Sequence, residues 1–173
     1  MYRLDPACDC VRASLDLPAA KLDAPALLGP ARIALPMRDE GRIAIIDLRR
    51  MALLQVWQPP QCARPSALAA DAAGKRLFVA CRGATPRLLS LDAQSGAVLA
   101  SAPAGRDINA LAYDDRRGWL LAPSGADARL SIYDASAPAE LRRVASIGTR
   151  PWAHNMAYDC LLYTSPSPRD RQK

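Results

Sequence analysis

The stretch ALAADAAGKRLFVACRGATPRLLSLDAQSGAVLASAP, Ala67 to Pro103, holds four short apolar runs separated by three turns. Each run has the length of a strand, and the turns between them hold Asp, Gly or Pro, the residues that open or close tight turns. Read this way, Ser66–Asp71, Arg76–Cys81, Arg87–Asp92 and Ala97–Pro103 are four consecutive antiparallel strands. In the last turn, Leu91 to Val98, Asp92 offers its side chain as an acceptor, and Gly96 supplies a positive φ just before the returning strand.

Working outward, the same pattern recurs in two ladders. Apolar runs close on aspartate at Asp5, Asp47, Asp92 and Asp134, at intervals of 42, 45 and 42 residues. Each aspartate is followed by a polar turn and a second apolar run: from Val11, Leu53, Ala97 and Leu141. Out of phase with these, ALAADAAGKRLFVA from Ala67 matches ALAYDDRRGWLLAP from Ala110, and NMAYD from Asn155 begins a further copy. Together the ladders give four strands per unit of about 42 to 45 residues, the period of a β-propeller blade. The expectation is an all-β, incomplete propeller of four-stranded antiparallel blades over residues 1–159. It comprises an outer hairpin (2–17), blades at 24–58, 66–103 and 108–148, and the first strand of another blade (154–159). The blade at 24–58 would use Ala24–Gly29, Arg32–Met37, Arg42–Asp47 and Leu53–Gln58; its first turn, around Gly29 and Pro30, lacks the Asp-x-x-Gly pattern. The last would use Ile108–Asp114, Gly118–Ser124, Arg129–Asp134 and Leu141–Gly148.

The segment Arg64 to Gly83 resembles the YVTN-family β-propeller repeat. A proline precedes the first strand, an Asp-x-x-Gly turn follows, and Leu77-Phe78-Val79-Ala80 stands where that family's signature lies. RLLSLDAQSGAVLASAP continues the likeness, with Asp92, Gly96 and Val98 in place. The next unit departs further, since GWLLAPSG keeps only the apolar character and puts Pro123 where a strand normally donates a hydrogen bond. The resemblance covers most of Arg32 to Asp159. It implies a propeller akin to quinoprotein-like and lactonase-like ones, typically bacterial or archaeal and often periplasmic or secreted.

The third copy of the inner ladder stops after MAYD, and CLLYTSPSPRD follows where its turn should be. That string is similar to the translation of a transposase sequencing adapter, codon by codon. Residues 160–173 are therefore expected to be a non-native, disordered tail, with native sequence ending at or near Asp159. Setting the tail aside lowers the net charge from +6 to +4 and leaves four cysteines: Cys8, Cys10, Cys62 and Cys81.

Composition narrows the function classes. The arginines occur singly or in pairs among acids, without the basic and aromatic interleaving of a nucleic-acid groove, so no nucleic-acid partner is expected. No run of eighteen apolar residues is present, so no membrane span is expected. No Gly-rich phosphate loop, nucleophile elbow or C-x-x-C-H haem motif occurs, and no cofactor is expected. With one histidine, a His-rich metal site cannot be assembled. Cys8-x-Cys10 has the elements of a metal or redox pair without the C-x-x-C spacing of zinc ribbons. Cys81, ending an apolar strand, reads as a core residue. Which cysteines bridge is left open.

Candidate binding residues come from the segments feeding the innermost strand of each blade, which rim one mouth of a propeller channel. They are Arg64 and Ser66; then Arg106, Asp107 and Asn109; then Arg150, Trp152 and His154. Three arginines round a funnel suit a small anionic ligand or an acidic protein loop. The primary expectation is a non-catalytic binding platform or scaffold. The alternative is a propeller enzyme, a lactonase-type hydrolase or a quinoprotein-like dehydrogenase. For the hydrolase, Arg106, Asp107, Arg150 and His154 would supply half a site, although His154 has no orienting partner identifiable in the sequence. An open ring also exposes unpaired strand edges, so self-association through an edge strand is expected.

Overall fold

A computed structural model describes residues 1–71, 73 and 75–158. The chain opens with an antiparallel hairpin, β1 (Tyr2–Asp5) and β2 (Cys10–Ser14). Three four-stranded antiparallel sheets follow. The first is β3 (Ala26–Leu27), β4 (Arg32–Met37), β5 (Arg42–Asp47) and β6 (Ala52–Trp57). The second is β7 (Arg64–Ala70), β8 (Arg76–Arg82), β9 (Arg87–Asp92) and β10 (Val98–Pro103). The third is β11 (Ala112–Asp114), β12 (Trp119–Ser124), β13 (Arg129–Asp134) and β14 (Arg142–Gly148). Strand order follows chain order in every sheet, so each is a meander, and these are the blades of a propeller whose described sheets do not close a ring. Among the described residues no helix is long and apolar enough to cross a membrane.

Burial explains the strand chemistry. The second and third strands of a blade lie between two neighbouring blades, so both faces are covered and the sequence is apolar almost without alternation. In β5, Ile43 and Ile45 face the second blade, where they meet Leu77, Val79, Leu89 and Leu91. Ala44 and Ile46 point the other way, into a cluster with Ile33, Leu35 and Met37 that Leu15 and Leu17 flank. The core between the second and third blades centres on Phe78, Leu88, Leu120 and Tyr133. Outermost strands are wetter, and every residue of β14 is exposed.

The turn aspartates perform as their positions predict. Asp47 accepts from the backbone N–H of Arg49 and Arg50, Asp92 from Gln94 and Ser95, and Asp134 from Ser136. Gly96 adopts φ +75°, and a Cβ there would lie 2.5 Å from the Trp57 ring, so both backbone and packing demand glycine. Arginines then fasten blade to blade at equivalent places: Arg32 donates to the Ala93 carbonyl and Arg76 to that of Ala135, both at 2.6 Å. Those carbonyls directly follow the turn aspartates Asp92 and Asp134.

Two expectations need correction. Two of the three innermost strands are shorter than the apolar runs suggest: β3 has two residues, and β11 begins at Ala112 rather than Ile108, whereas β7 runs over Arg64–Ala70. The Ile108 carbonyl instead accepts from the Ser66 hydroxyl at 2.8 Å and from Arg82, so this stretch serves the neighbouring blade rather than β12. Residues 154–158 carry no strand and instead contact the start of the third blade, the Asn109 N–H donating to the His154 carbonyl at 3.3 Å and the Tyr158 hydroxyl to Asp114 at 2.6 Å; Asp159 and the tail 160–173 lie outside the described residues. Cys81 is buried in the core as expected, and the pairing left open by the sequence is Cys62 with Cys81 and Cys8 with Cys10. Pro36 and Pro123 do sit inside strands. Pro123 falls beyond the last β11–β12 pair, where a missing N–H costs little, and Pro36 falls between the β3–β4 pairs and the isolated Leu22–Met37 bridge, with its carbonyl accepting from the Asp23 N–H at 3.2 Å.

Candidate functional site at the channel mouth

One face of the blades carries the connectors between successive blades and the turns after each second strand. Extending the strand register back along the chain makes Asp23, Ser66 and Asn109 equivalent positions in the segments leading along three successive innermost strands, and the sequence ladder adds His154. Register likewise aligns Arg38, Arg82 and Gly125, which follow or end the second strands. Each blade thus delivers one polar group from its innermost strand, and two blades add an arginine, to the same mouth.

These groups are linked to one another. Arg38 is buried and donates from Nη2 to Asp23 Oδ1 at 2.7 Å, while its Nε lies 2.6 Å from Oδ2 without hydrogen-bond geometry; the ion pair offsets the cost of burying the guanidinium. It also donates to Asn109 Oδ1 at 3.4 Å. Arg82 donates to the same oxygen and pairs with Asp107 Oδ1 at 2.6 Å. The other oxygen of Asp107 lies 2.9 Å from His154 Nδ1. Burial pulls the Arg82 guanidinium below its ordinary value; Asp107 opposes this, and the neighbouring Arg38 reinforces it. The Asp107 backbone is in the left-handed region, φ +61°, and so is Trp152 at the equivalent place in the next connector, φ +65°. That conformation is uncommon outside glycine and recurs at functional sites. Gly125 locks both connectors: its N–H donates to the Asp107 carbonyl and its carbonyl accepts from Trp152.

Of the residues expected here, the structure gathers Asp107, Asn109 and His154 into one network, and Asp107 is the partner that His154 lacked. The others part ways. Ser66 is buried and donates to backbone carbonyls of Ile108 and Ala80. Arg64 is held by Asp39 and Arg106 by Asp127, both outside the network. Arg150 is exposed, and Trp152 is 70% exposed. The sequence reading passed over Asp23, Arg38 and Arg82. Arg38 and Arg82 each follow an apolar second strand 44 residues apart, and Asp23 stands 43 residues before Ser66; that periodicity was the available signal.

Beside the network, between the first and second blades, opens a groove of about 740 Å³. Asp39, Glu40, Gln58, Gln61, Arg82 and Thr85 line it, together with Cys62. Its lining shares Arg82 with the network but includes neither Asp107 nor His154. The Cys62–Cys81 bond ties the connector from the first blade to the end of β8, and so holds one wall against the other.

No protein-family model matches the chain. No curated protein matches its sequence. Solved structures do match in fold. A Bacteroides caccae protein of unknown function superposes with a TM-score of 0.62 at 13% identity, over 86% of this chain and 53% of that one. A putative 6-phosphogluconolactonase from Bacteroides uniformis superposes with a TM-score of 0.68 at 14% identity, over 86% and 48%. The β-propeller domain of Myceliophthora thermophila Cps50 (Swd1) does so with a TM-score of 0.54 at 18% identity, over 66% and 35%. The chain therefore spans about half the length of the first two. At these identities the likeness shows the fold alone, and the fold is that of a β-propeller built from four-stranded antiparallel blades.

Proposed function

We propose that this chain is a segment of a YVTN-type propeller that serves as a non-catalytic binding platform, taking a small anionic ligand or an acidic protein loop at the channel mouth. The observation that carries this reading is the position of Arg82, which faces the 740 Å³ groove while Asp107 and Asn109 hold its guanidinium in place. A cation fixed by its own neighbours loses little freedom when an anion arrives. Arg64 at the same end adds a second positive group. The two disulfides fit a periplasmic or secreted setting, where such bonds persist.

A lactonase-type hydrolase is the second reading, and one observation favours it: a histidine, an arginine and a carboxylate meet at His154, Arg82 and Asp107. His154 Nδ1 lies on Asp107, which leaves Nε2 as the atom that would take a proton from water. The quinoprotein-like dehydrogenase has no comparable support. The platform is preferred because the groove and the His154–Asp107 pair do not coincide.

Calorimetric titration of the full chain with inorganic phosphate and citrate tests the platform, with Arg82→Ala as control. Saturable binding that Arg82→Ala weakens at least tenfold supports it; no binding, or binding indifferent to Arg82, overturns it. Glucono-δ-lactone followed by pH-stat separates the second reading: hydrolysis above background that His154→Ala abolishes would establish the enzyme instead.

A further inference from the structure

From the outer hairpin we infer a second, separate chemistry: the Cys8–Cys10 disulfide is a thiol–disulfide exchange site that accepts two electrons from a dithiol. It lies in the turn joining β1 to β2, at the edge of the molecule and apart from the channel-mouth network.

Three observations converge on it. First, only one residue separates the two cysteines, whose Cα atoms are 5.2 Å apart. A bond closing so short a loop removes little entropy from the unfolded chain, so it contributes little to folding and is not there as a staple. Secondly, it is open to attack. Cys8 is exposed and Cys10 half-buried, whereas Cys62 and Cys81 are 4% and 3% exposed. Exposed disulfides are the labile, regulatory or catalytic ones; buried ones resist exchange because an incoming thiolate cannot align with the S–S axis. Thirdly, Asp9, enclosed by the ring, adopts φ +49°. An L residue there relaxes when the ring opens, so reduction releases backbone strain.

The step balances as follows. A thiolate of the dithiol attacks Cys8 Sγ, the more exposed sulfur, and forms a mixed disulfide while Cys10 Sγ leaves as thiolate. The second thiolate of the reductant then attacks its own sulfur in that mixed bond and expels Cys8 as thiolate. Cys8 and Cys10 end reduced by two electrons and the dithiol ends as its disulfide, with the protons exchanged with solvent. Reduction frees the turn while the β1–β2 ladder stays paired through its backbone, so the hairpin carries the exchange without unfolding the blades.

The buried Cys62–Cys81 bond serves as an internal reference. The full chain, in a Cys160→Ser background, would be equilibrated without denaturant in graded dithiothreitol, quenched with N-ethylmaleimide and mapped by peptide mass. Cys8 and Cys10 are expected to become alkylated at a dithiothreitol concentration at least tenfold below that needed for Cys62 and Cys81. Reduction of both bonds at the same concentration, or of Cys62–Cys81 first, overturns the inference, as does recovery of Cys8 and Cys10 as free thiols from air-oxidised protein whose Cys62–Cys81 bond is formed. A Cys8→Ser variant in oxidised glutathione is expected to carry one glutathione on Cys10; an unmodified Cys10 there also overturns it.

Discussion

Asp107 holds His154 Nδ1 at 2.9 Å with one carboxylate oxygen and Arg82 at 2.6 Å with the other, so a single side chain joins the second blade to the segment that follows the third. Asp107→Asn leaves the half-buried Arg82 without its anion and keeps the shape. The expected cost is about 2 kcal/mol, the range for a hydrogen bond to a charged group. His154→Ala should cost less than half of that, since Arg82 keeps its partner. Urea unfolding of the two variants checks the order; equal losses would show that Arg82 gains nothing from Asp107.

Gly96→Ala puts a methyl group within 2.5 Å of the Trp57 ring at a left-handed φ of +75°. Strain and overpacking act together, for an expected loss of about 2–3 kcal/mol. Denaturation midpoints measure it, and the intrinsic fluorescence of Trp57 should shift as the ring moves. Gly148→Ala, whose Cβ would meet nothing within 4 Å, is the matched control.

The Ser66 hydroxyl spans two blades by donating to the Ile108 carbonyl at 2.8 Å from a site 2% exposed. Ser66→Ala strands that buried carbonyl with weaker donors and is expected to cost about 1 kcal/mol. Amide exchange near Ile108 should quicken more than exchange in β13. Uniform quickening would mean that the bond does not lock this junction.

Acid should loosen the junction beyond the third blade. The Asp114 carboxylate is drawn from 3.8 down to about 2, first by the Tyr158 hydroxyl and then by the Arg117 side chain and the N–H groups of Arg117 and Arg116, against the opposing effect of burial. Its folded value lies below its unfolded one. The stability it contributes is therefore complete above about pH 4 and is lost as pH falls from there through about 2. Asp92 and Asp134, lowered chiefly by the Ser95 and Ser136 hydroxyls, act with the same sign. Tyr158→Phe should raise the Asp114 value and shrink this acid-sensitive part. Urea midpoints between pH 5 and pH 2, compared for wild type and variant, read it directly; identical curves would remove Tyr158 from the account.

Among the described residues the β1 strand pairs only with β2, and the hairpin leaves Tyr2, Leu4 and Val11 more than half exposed. A free edge flanked by apolar side chains is a template for pairing with another chain. Light scattering is expected to show mass rising with protein concentration, and Leu4→Lys should weaken that association by about tenfold, a charged edge being poorly tolerated in a new ladder. A mass independent of concentration would refute edge pairing.

Much of the architecture was legible in the residues because it rests on local rules. The period of 42 to 45, the apolar second and third strands, the aspartate that opens each outer turn and the glycine at 96 depend on neighbours a few positions away. Arg32–Met37, Arg42–Asp47, Arg87–Asp92 and Arg129–Asp134 form strands over the spans the pattern predicts. The innermost strand of the third blade starts later than the pattern predicts, because apolar character near Ile108 reflects burial between blades and not a ladder with β12.

The site was legible only in part. Asp107, Asn109 and His154 lie in recognisable connectors, yet nothing in their spacing indicates that one carboxylate serves both Arg82 and His154, or that Arg38 reaches Asn109 from two blades away. Sequence determined the repeat, the strands and the turns, since these follow from local propensity and period. Tertiary structure alone decided which polar groups converge, because that depends on the rotation of each blade against the next, a long-range packing outcome that no local pattern encodes; it also settled the cysteine pairing, within one hairpin for Cys8 and Cys10 and between a connector and the blade it feeds for Cys62 and Cys81.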